Sequence, residues 1–459
     1  RGVYLQVVQH DDLTKRGDAR TTRDLVLPAH RGRLLDREGA VLASSVPASG
    51  VFAFPDQVEL TTPQRDSLAK ALNIRTKDLD RKLDTERDLV YLARGIAPEQ
   101  GQIISALKIP GVAVQKEFKR EYPAQEVMGQ VLGITNVDDI GQEGLELAQN
   151  EWLSGKAGAR RVTIDRRGGV VEEIRSVRAP QQGRDLQLAL DSRVQHLAFR
   201  ELKRGVDAHR AKGGAAVVLD AKSGEIIALV NYPTSNPSDR SAAATGGLRN
   251  RAVADLFEPG STMKPFTIST AIETGVLKSD AFIPMPGSTY TLNGATIRDT
   301  HTIGANGVAS VTEILQKSSN VGTARIAERL PNEVMWRQLQ RAGFGRAPQT
   351  GVPGEAHGRL RAPQSWRPIE KATMSYGYGL SVNLVQLARA YTVFANQGAL
   401  VDVTLLKNGG DARKTQVYSS GRLTLCCQCL RRPPPKKVPR RCRKFRAIAL
   451  RAKRVLRRS

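Results

Sequence analysis

The stretch Glu258-Pro259-Gly260-Ser261-Thr262-Met263-Lys264-Pro265-Phe266 constrains this chain more than any other. Pro265 lacks an amide hydrogen and its ring clashes with the preceding turn, so a helix containing it must begin there. Pro259-Gly260 breaks whatever comes before. Ser261 is thereby placed at or just before a helix N-terminus, with Lys264 three positions on and on the same face. A serine hydroxyl becomes a nucleophile only when a base takes its proton, and a lysine is a base only when neutral. The positive end of the helix dipole and burial both disfavour the ammonium and draw the lysine towards a working range. Two readings are open, an acyl-transferring serine with a lysine partner or an ordinary helix start, because Ser-x-x-Lys is short enough to recur by chance.

Length and charge narrow the field. At 459 residues two or three domains are expected, and a 40% hydrophobic content fills a core. No apolar run reaches the 18 residues of a membrane-spanning helix. The chain begins at Arg1, so it reads as a fragment or processed form from which any signal or anchor ahead of Tyr4-Leu5-Gln6-Val7-Val8 has been cut. The net charge of +25 would point to nucleic acid or an anionic membrane, but residues 421–459 hold 15 of the 70 Lys and Arg and no acid. The other 420 residues carry 55 basic and 45 acidic side chains, a net of +10. Cys426, Cys427, Cys429 and Cys442 all fall in the same tail, and the cysteine-free body suits an oxidising compartment without requiring one.

Residues 1–30 form a polar, charged lead-in. In Arg31 to Ala43, Glu38-Gly39 is a turn between two short strands. Helical patterns run from Gln64 to Leu72 and from Lys77 to Leu83, and Gly144 opens a further helix. Nothing in this half clusters His, Cys or paired carboxylates, so it is expected to scaffold or dock. Beyond the linker Gln181 to Arg184, Asp185 to Leu190 alternates as a strand, and the next helix should bury Val194, Leu197, Ala198 and Leu202. Ala215 to Leu219 and Glu225 to Val230 flank Asp220-Ala221-Lys222-Ser223-Gly224 as a hairpin. Val311 to Lys317 is helical, and a second helix begins with Asn320 as its N-cap and runs to Leu330. Ser375 to Leu380 is a glycine-rich turn, and Leu384, Leu387, Ala388, Tyr391 and Ala395 make a core-facing stripe. An α+β domain starting near residue 185 encloses the Ser261 helix.

Ser318-Ser319-Asn320 supplies what a Ser-x-x-Lys acyl enzyme needs on the far wall of its cleft, a hydroxyl that relays a proton and an amide that holds lysine and substrate. With that, the chain from residue 1 to about 420 resembles a class B penicillin-binding protein, most similar to the division-specific (septal) transpeptidases. The resemblance rests on Arg31-Gly32 with Asp36-Arg37 and Gly39, Arg120 with Tyr122-Pro123, and Gly133 through Glu146. It continues in Glu258 to Phe266, Ser318 to Asn320, Gly351 to Glu355 and Ala372 to Val382. It implies a penicillin-binding, serine β-lactamase-like domain, with helices about a central antiparallel sheet, over residues 185–420. An elongated mixed α/β pedestal (dimerisation-type) domain over residues 31–184 precedes it. It further implies a serine D,D-transpeptidase that cross-links peptidoglycan stem peptides at the division septum and is acylated by β-lactams. Ser261 would be the nucleophile, Lys264 its base, and Ser318 and Asn320 the second motif, with no cofactor and no metal. Expected partners are a septal glycosyltransferase and other divisome membrane proteins, and the expected place is the periplasmic face of the inner membrane.

One motif is missing. The family's Lys-Thr-Gly or Lys-Ser-Gly strand should lie in the last stretch of the domain. The only Lys-Thr pair there, in Lys414-Thr415-Gln416, lacks the glycine, lies close to Gly398 and has no strand-like context. After about residue 420 the chain turns abruptly to cysteine, proline and unrelieved basic residues, the pattern of a shifted reading frame, and no stable fold is expected there. A basic tail for nucleic acid and a zinc site on Cys426-Cys427-Gln428-Cys429 are both weaker, since the ligand spacing is wrong for zinc. Two rivals to an active transpeptidase stand beside it: a non-catalytic divisome scaffold, and a β-lactam sensor or class D β-lactamase-like protein, against which the motifs around Arg31 and Tyr122 argue.

Overall fold

The computed structural model describes residues 22–27, 29–164, 170–239, 249–407, 409–410 and 412–423. Most of the lead-in and nearly all of the basic tail lie outside these, and with them the expectations of an unfolded tail and a tail zinc site. The chain divides into two compact units, the first built from residues up to Leu35, Val41–Gln125 and Leu132–Leu186. The second takes Asp36–Ala40, Glu126–Val131 and everything from Gln187.

In the first unit the 13-residue strand Val41–Ala53 is the axis of a mixed-length antiparallel sheet. Val112–Glu121 pairs along it from Ser44↔Glu121 to Ala53↔Val112, and Val90–Ile96 pairs with its far half. The turn at Glu38-Gly39 joins it to Leu34–Leu35, as the sequence indicates. Thr62–Leu72, Thr76–Leu83 and Pro98–Ala106 are helices that bury Leu68, Leu72, Leu79 and Ile104 against Val51 and Leu92. A second sheet has Gly158–Ile164 between Thr22–Leu27 and Val170–Arg178. The end of the lead-in is therefore a strand, held by a partner too far along the chain for local pattern to reveal.

The polar centre of this unit is a buried charge cluster. Arg31 reaches Glu146 Oε2 at 2.7 Å and Arg120 reaches Oε1 at 2.7 Å, with Glu146 wholly buried. Arg31 also donates to the Asp139 carbonyl, Asn150 Oδ1 and Ser154 Oγ at 2.8–3.0 Å. Arg31 closes on Oε2 through Nε and Nη2 while Arg120 holds Oε1 through Nε, so both carboxylate oxygens are engaged by cations.

The second unit opens with the 18-residue helix Ser192–His209, capped by the Asp191 carboxylate. Its buried residues are Val194, Gln195, Phe199 and Val206, whereas Leu197, Ala198 and Leu202 are only partly covered. The apolar count misled because Gln195 takes a core position, exchanging two bonds of 2.8 Å with the Leu229 backbone and donating to Val127 O. Asp36 Oδ2 accepts from Ser192 Oγ at 2.6 Å, and Gln130 Nε2 donates to Pro233 O. The hairpin is Gly214–Leu219 with Ile226–Tyr232. Among the described residues the expected central sheet is only this ladder, extended by single bridges at Glu225↔Thr404 and Leu188↔Leu406. Asp185–Leu190 is strand only at Leu186–Gln187.

A largely helical body completes the unit. Lys264–Glu273 is buried over nine consecutive residues, with Phe266 edge-on to Phe344 and Phe394 at 5.0 Å and to Tyr391 at 5.3 Å. Val311–Gln316, Asn320–Glu328, Asn332–Arg341 and Pro368–Ser375 surround it. The stripe after residue 384 breaks into Leu384–Ala390 and Thr392–Ala395. Leu387 and Tyr391 pack, partly buried, against the core as expected, Leu384 and Ala388 are partly covered, and Ala395 is exposed. The fully buried apolar residues are Val385, Ala390 and Val393. Lys414–Gln416 corrects another expectation, for it is a strand, antiparallel to Ala399–Val401 with all three residues exposed. Three exposed residues carry no alternation to read.

Candidate active site

Gly260–Met263 is one turn of 3₁₀-helix that runs into the α-helix at Lys264, with Pro265 in the first α-helical turn. The turn is pinned by backbone. Gly260 N donates to Gly377 O at 3.0 Å, Thr262 Oγ1 to Pro259 O at 2.7 Å, and Tyr391 Oη to Thr262 O at 2.8 Å. Gly377, at φ +94°, approaches so closely that a Cβ there would stand 2.0 Å from Gly260 O. Glu258 accepts from Gly379 N at 2.8 Å and holds the other side of the same loop. Ser261 is thus presented on a turn that its neighbours fix from two directions, and its side chain is exposed.

Lys264 is the opposite case, 2% exposed. Its Nζ donates to Ser318 O at 2.5 Å and to Ser318 Oγ at 3.0 Å. Burial lowers its pKa to about 8, with the Asp299 carboxylate pulling the other way. At pH 7 a lysine of that pKa is roughly one-tenth neutral, against about one part in three thousand for an ordinary one. A neutral amine one turn from an exposed hydroxyl is the arrangement that general-base activation of serine needs.

The far wall is the loop between two helices. Ser318 lies in the left-handed region at φ +57°, a backbone state that a non-glycine residue holds only when its surroundings impose it. Ser319, wholly buried, is the N-cap of Asn320–Glu328, accepting from Gly322 N at 2.8 Å, and Asn320 is the first helical residue. The cap is therefore one residue earlier than the sequence indicates. The structure brings Lys264 and Ser318 together. No bond joins the Ser261 hydroxyl to either among the described residues, and the Asn320 amide donates to Arg298 O at 3.0 Å rather than meeting the lysine.

Sequence reasoning missed Asp299. Its carboxylate accepts from Ser319 Oγ at 2.6 Å, Asn320 N at 2.6 Å and Val321 N at 3.2 Å. It stands 20 residues upstream at the end of the hairpin strand Ala295–Arg298, and no local spacing links it to the loop. The one tripeptide with the composition of the missing third motif, Lys222-Ser223-Gly224, is the hairpin turn, with Lys222 N and Ser223 N bonded to Asp220 Oδ1.

The chain is similar to known proteins along most of its length. Residues 214–425 match the penicillin binding protein transpeptidase domain, and residues 26–188 match the penicillin-binding protein dimerisation domain. The chain is 41% identical over 412 residues to the probable peptidoglycan D,D-transpeptidase PenA of Neisseria gonorrhoeae, covering 89% of this chain and 70% of that protein. To the peptidoglycan D,D-transpeptidase FtsI of Escherichia coli K12 it is 37% identical over 415 residues, covering 89% and 69%. Among solved structures, a peptidoglycan synthetase from Bifidobacterium adolescentis superposes with a TM-score of 0.68 at 26% identity, over 89% of this chain and 81% of the other.

Proposed function

Since the chain belongs to the class B penicillin-binding proteins, with a dimerisation domain ahead of a transpeptidase domain, we propose that Ser261 is the acylated nucleophile of a septal peptidoglycan D,D-transpeptidase. The observation that carries this reading is Lys264, buried, lowered to about 8 and bonded to Ser318, one helical turn from the exposed Ser261. Ser261 Oγ attacks the carbonyl of the penultimate D-alanine of a stem peptide while Lys264 takes its proton. The C–N bond then breaks, and the departing D-alanine amine takes a proton back through Lys264 and Ser318. Attack of a second stem peptide's amine on the acyl-enzyme forms the cross-link and restores Ser261. Asn320 would turn from Arg298 O to the substrate amide as it binds. A β-lactam enters the same first step and stays on the serine.

The enzyme works at the periplasmic face of the inner membrane beside a septal glycosyltransferase and other division proteins, with the dimerisation domain as the docking element. The absence of Lys-Thr-Gly from the last stretch favours a second reading, in which this chain serves the division machinery while cross-linking slowly. The third-motif strand supplies an oxyanion donor, and loss of one such donor costs about 10²–10³ in rate. Single-turnover labelling with a fluorescent penicillin tests both, with Ser261→Ala as the blank. Labelling that Ser261→Ala abolishes is expected, at least about a hundredfold slower than in a version whose frame after residue 420 encodes the strand. Absence of any Ser261-dependent label rules out the acyl-enzyme, and equal rates in the two versions would show the strand dispensable.

A further inference from the structure

The loop Ser318–Asn320 has an unfavourable backbone, yet Lys264 depends on it for both of its hydrogen bonds. The first three amides of the next helix have no intrahelical partners. Gly322 N is met by Ser319 Oγ, and the Asn320 and Val321 amides are met by one oxygen of Asp299. The other Asp299 oxygen takes the Ser319 hydroxyl proton, which fixes that hydroxyl as the acceptor for Gly322. The Arg298 carbonyl, one residue earlier, takes the Asn320 amide. One strand end therefore binds the cap, the helix start and the second-motif asparagine together, with a negative charge at the positive end of the helix.

We infer that Asp299 is a positioning residue of this cleft, clamping the Ser318–Asn320 loop in the conformation that holds Lys264 and setting the field in which that lysine gains and loses its proton. The inference rests on the reading of Ser261 and Lys264 as an acylating pair. Asp299 is the charged group that opposes the effect of burial on Lys264. Glu313 pairs with Lys317 at 2.7 Å, Glu258 is bonded to Gly379 N, and the Tyr376 hydroxyl, itself pushed up by burial, by Tyr378 and by Asp299, stays protonated through the working range.

Two substitutions separate clamp from field. In Asp299→Asn the amide oxygen still accepts from the two backbone amides and its NH₂ donates to Ser319, so the loop is kept and the charge removed. Asp299→Ala removes both. The decisive readout is the titration of the Lys264 side chain, followed by ¹³C NMR at its ε-carbon, which needs no acylation. Lys264 in Asp299→Asn should bind its proton roughly threefold to tenfold more weakly than in the parent chain. The acidic limb of penicillin labelling should move to lower pH with it, and the plateau should stay within about twofold. In Asp299→Ala the plateau should fall by at least about tenfold. A Lys264 titration unmoved in Asp299→Asn, or a plateau unchanged in Asp299→Ala, overturns the assignment. If the parent chain takes no label at all, the acyl-enzyme reading fails, and the titration alone still decides for or against Asp299.

Discussion

Lys264 is an amine in the core, where burial favours its neutral form. Its folded pKa of about 8 lies below the ordinary lysine value, so the folded state holds fewer protons than the unfolded chain between about pH 8 and 10.5, and stability from this group rises with pH across that window. The chemical consequence runs the same way. Labelling of Ser261 should accelerate as pH rises through about 8 and level off above it, and Lys264→Ala should lower the plateau by about 10²–10⁴. A flat profile from about pH 6 to 9 would remove the lysine from the base role. The turn that carries Ser261 and the helix start at Lys264 were readable because two prolines and a glycine fix them locally. Asp299 was not, because its partner Ser319 is 20 residues away and an aspartate ending a strand looks like any surface charge.

At the scale of elements, the turn carrying Ser261 is shaped by its neighbour as much as by its own sequence. Gly377→Ala would place a Cβ 2.0 Å from Gly260 O and 2.4 Å from its N, so the Ser261 turn or the Tyr376–Gly379 loop has to move. A misplacement of about 1 Å costs on the order of a hundredfold, and labelling should drop accordingly. Gly354→Ala is the matched control, with φ +79° and no atom within 4 Å of the added carbon. It should cost about 1 kcal/mol in a thermal melt from backbone strain and leave labelling unchanged. Equal labelling losses in the two would mean that strain, not displacement, is at work. The start of Asn320–Glu328 was legible to within one residue, since Ser319 and Asn320 are both good caps and only the structure shows that Ser319 takes the role. The buried phase of Ser192–His209 was not, because hydropathy cannot foresee that Gln195 satisfies its amide inside the core.

Over the whole molecule, each unit carries buried polar groups bonded within it. In the first, Glu146→Ala would leave Arg31 and Arg120 buried without their carboxylate. A loss of about 3–5 kcal/mol is expected, measured by denaturant unfolding, with faster amide exchange in residues 139–154. An unchanged midpoint would mean that the two guanidinium groups are solvated in the folded state. The motifs around Arg31, Arg120 and Glu146 stood out in the sequence through family resemblance, but their convergence on one carboxylate is a fact of tertiary structure. The second unit, for its part, borrows Asp36–Ala40 and Glu126–Val131 from the first half of the chain, binding Asp36 to Ser192 and Val127 to Gln195. Inheritance feels this interleaving. A mosaic gene spliced near residue 187 exchanges the downstream portion and leaves two of the unit's own pieces behind, so a foreign second half arrives without the partners it was selected with. Recombination that carries residues 36–40 and 126–131 along with the rest keeps the Asp36–Ser192 and Val127–Gln195 pairs together.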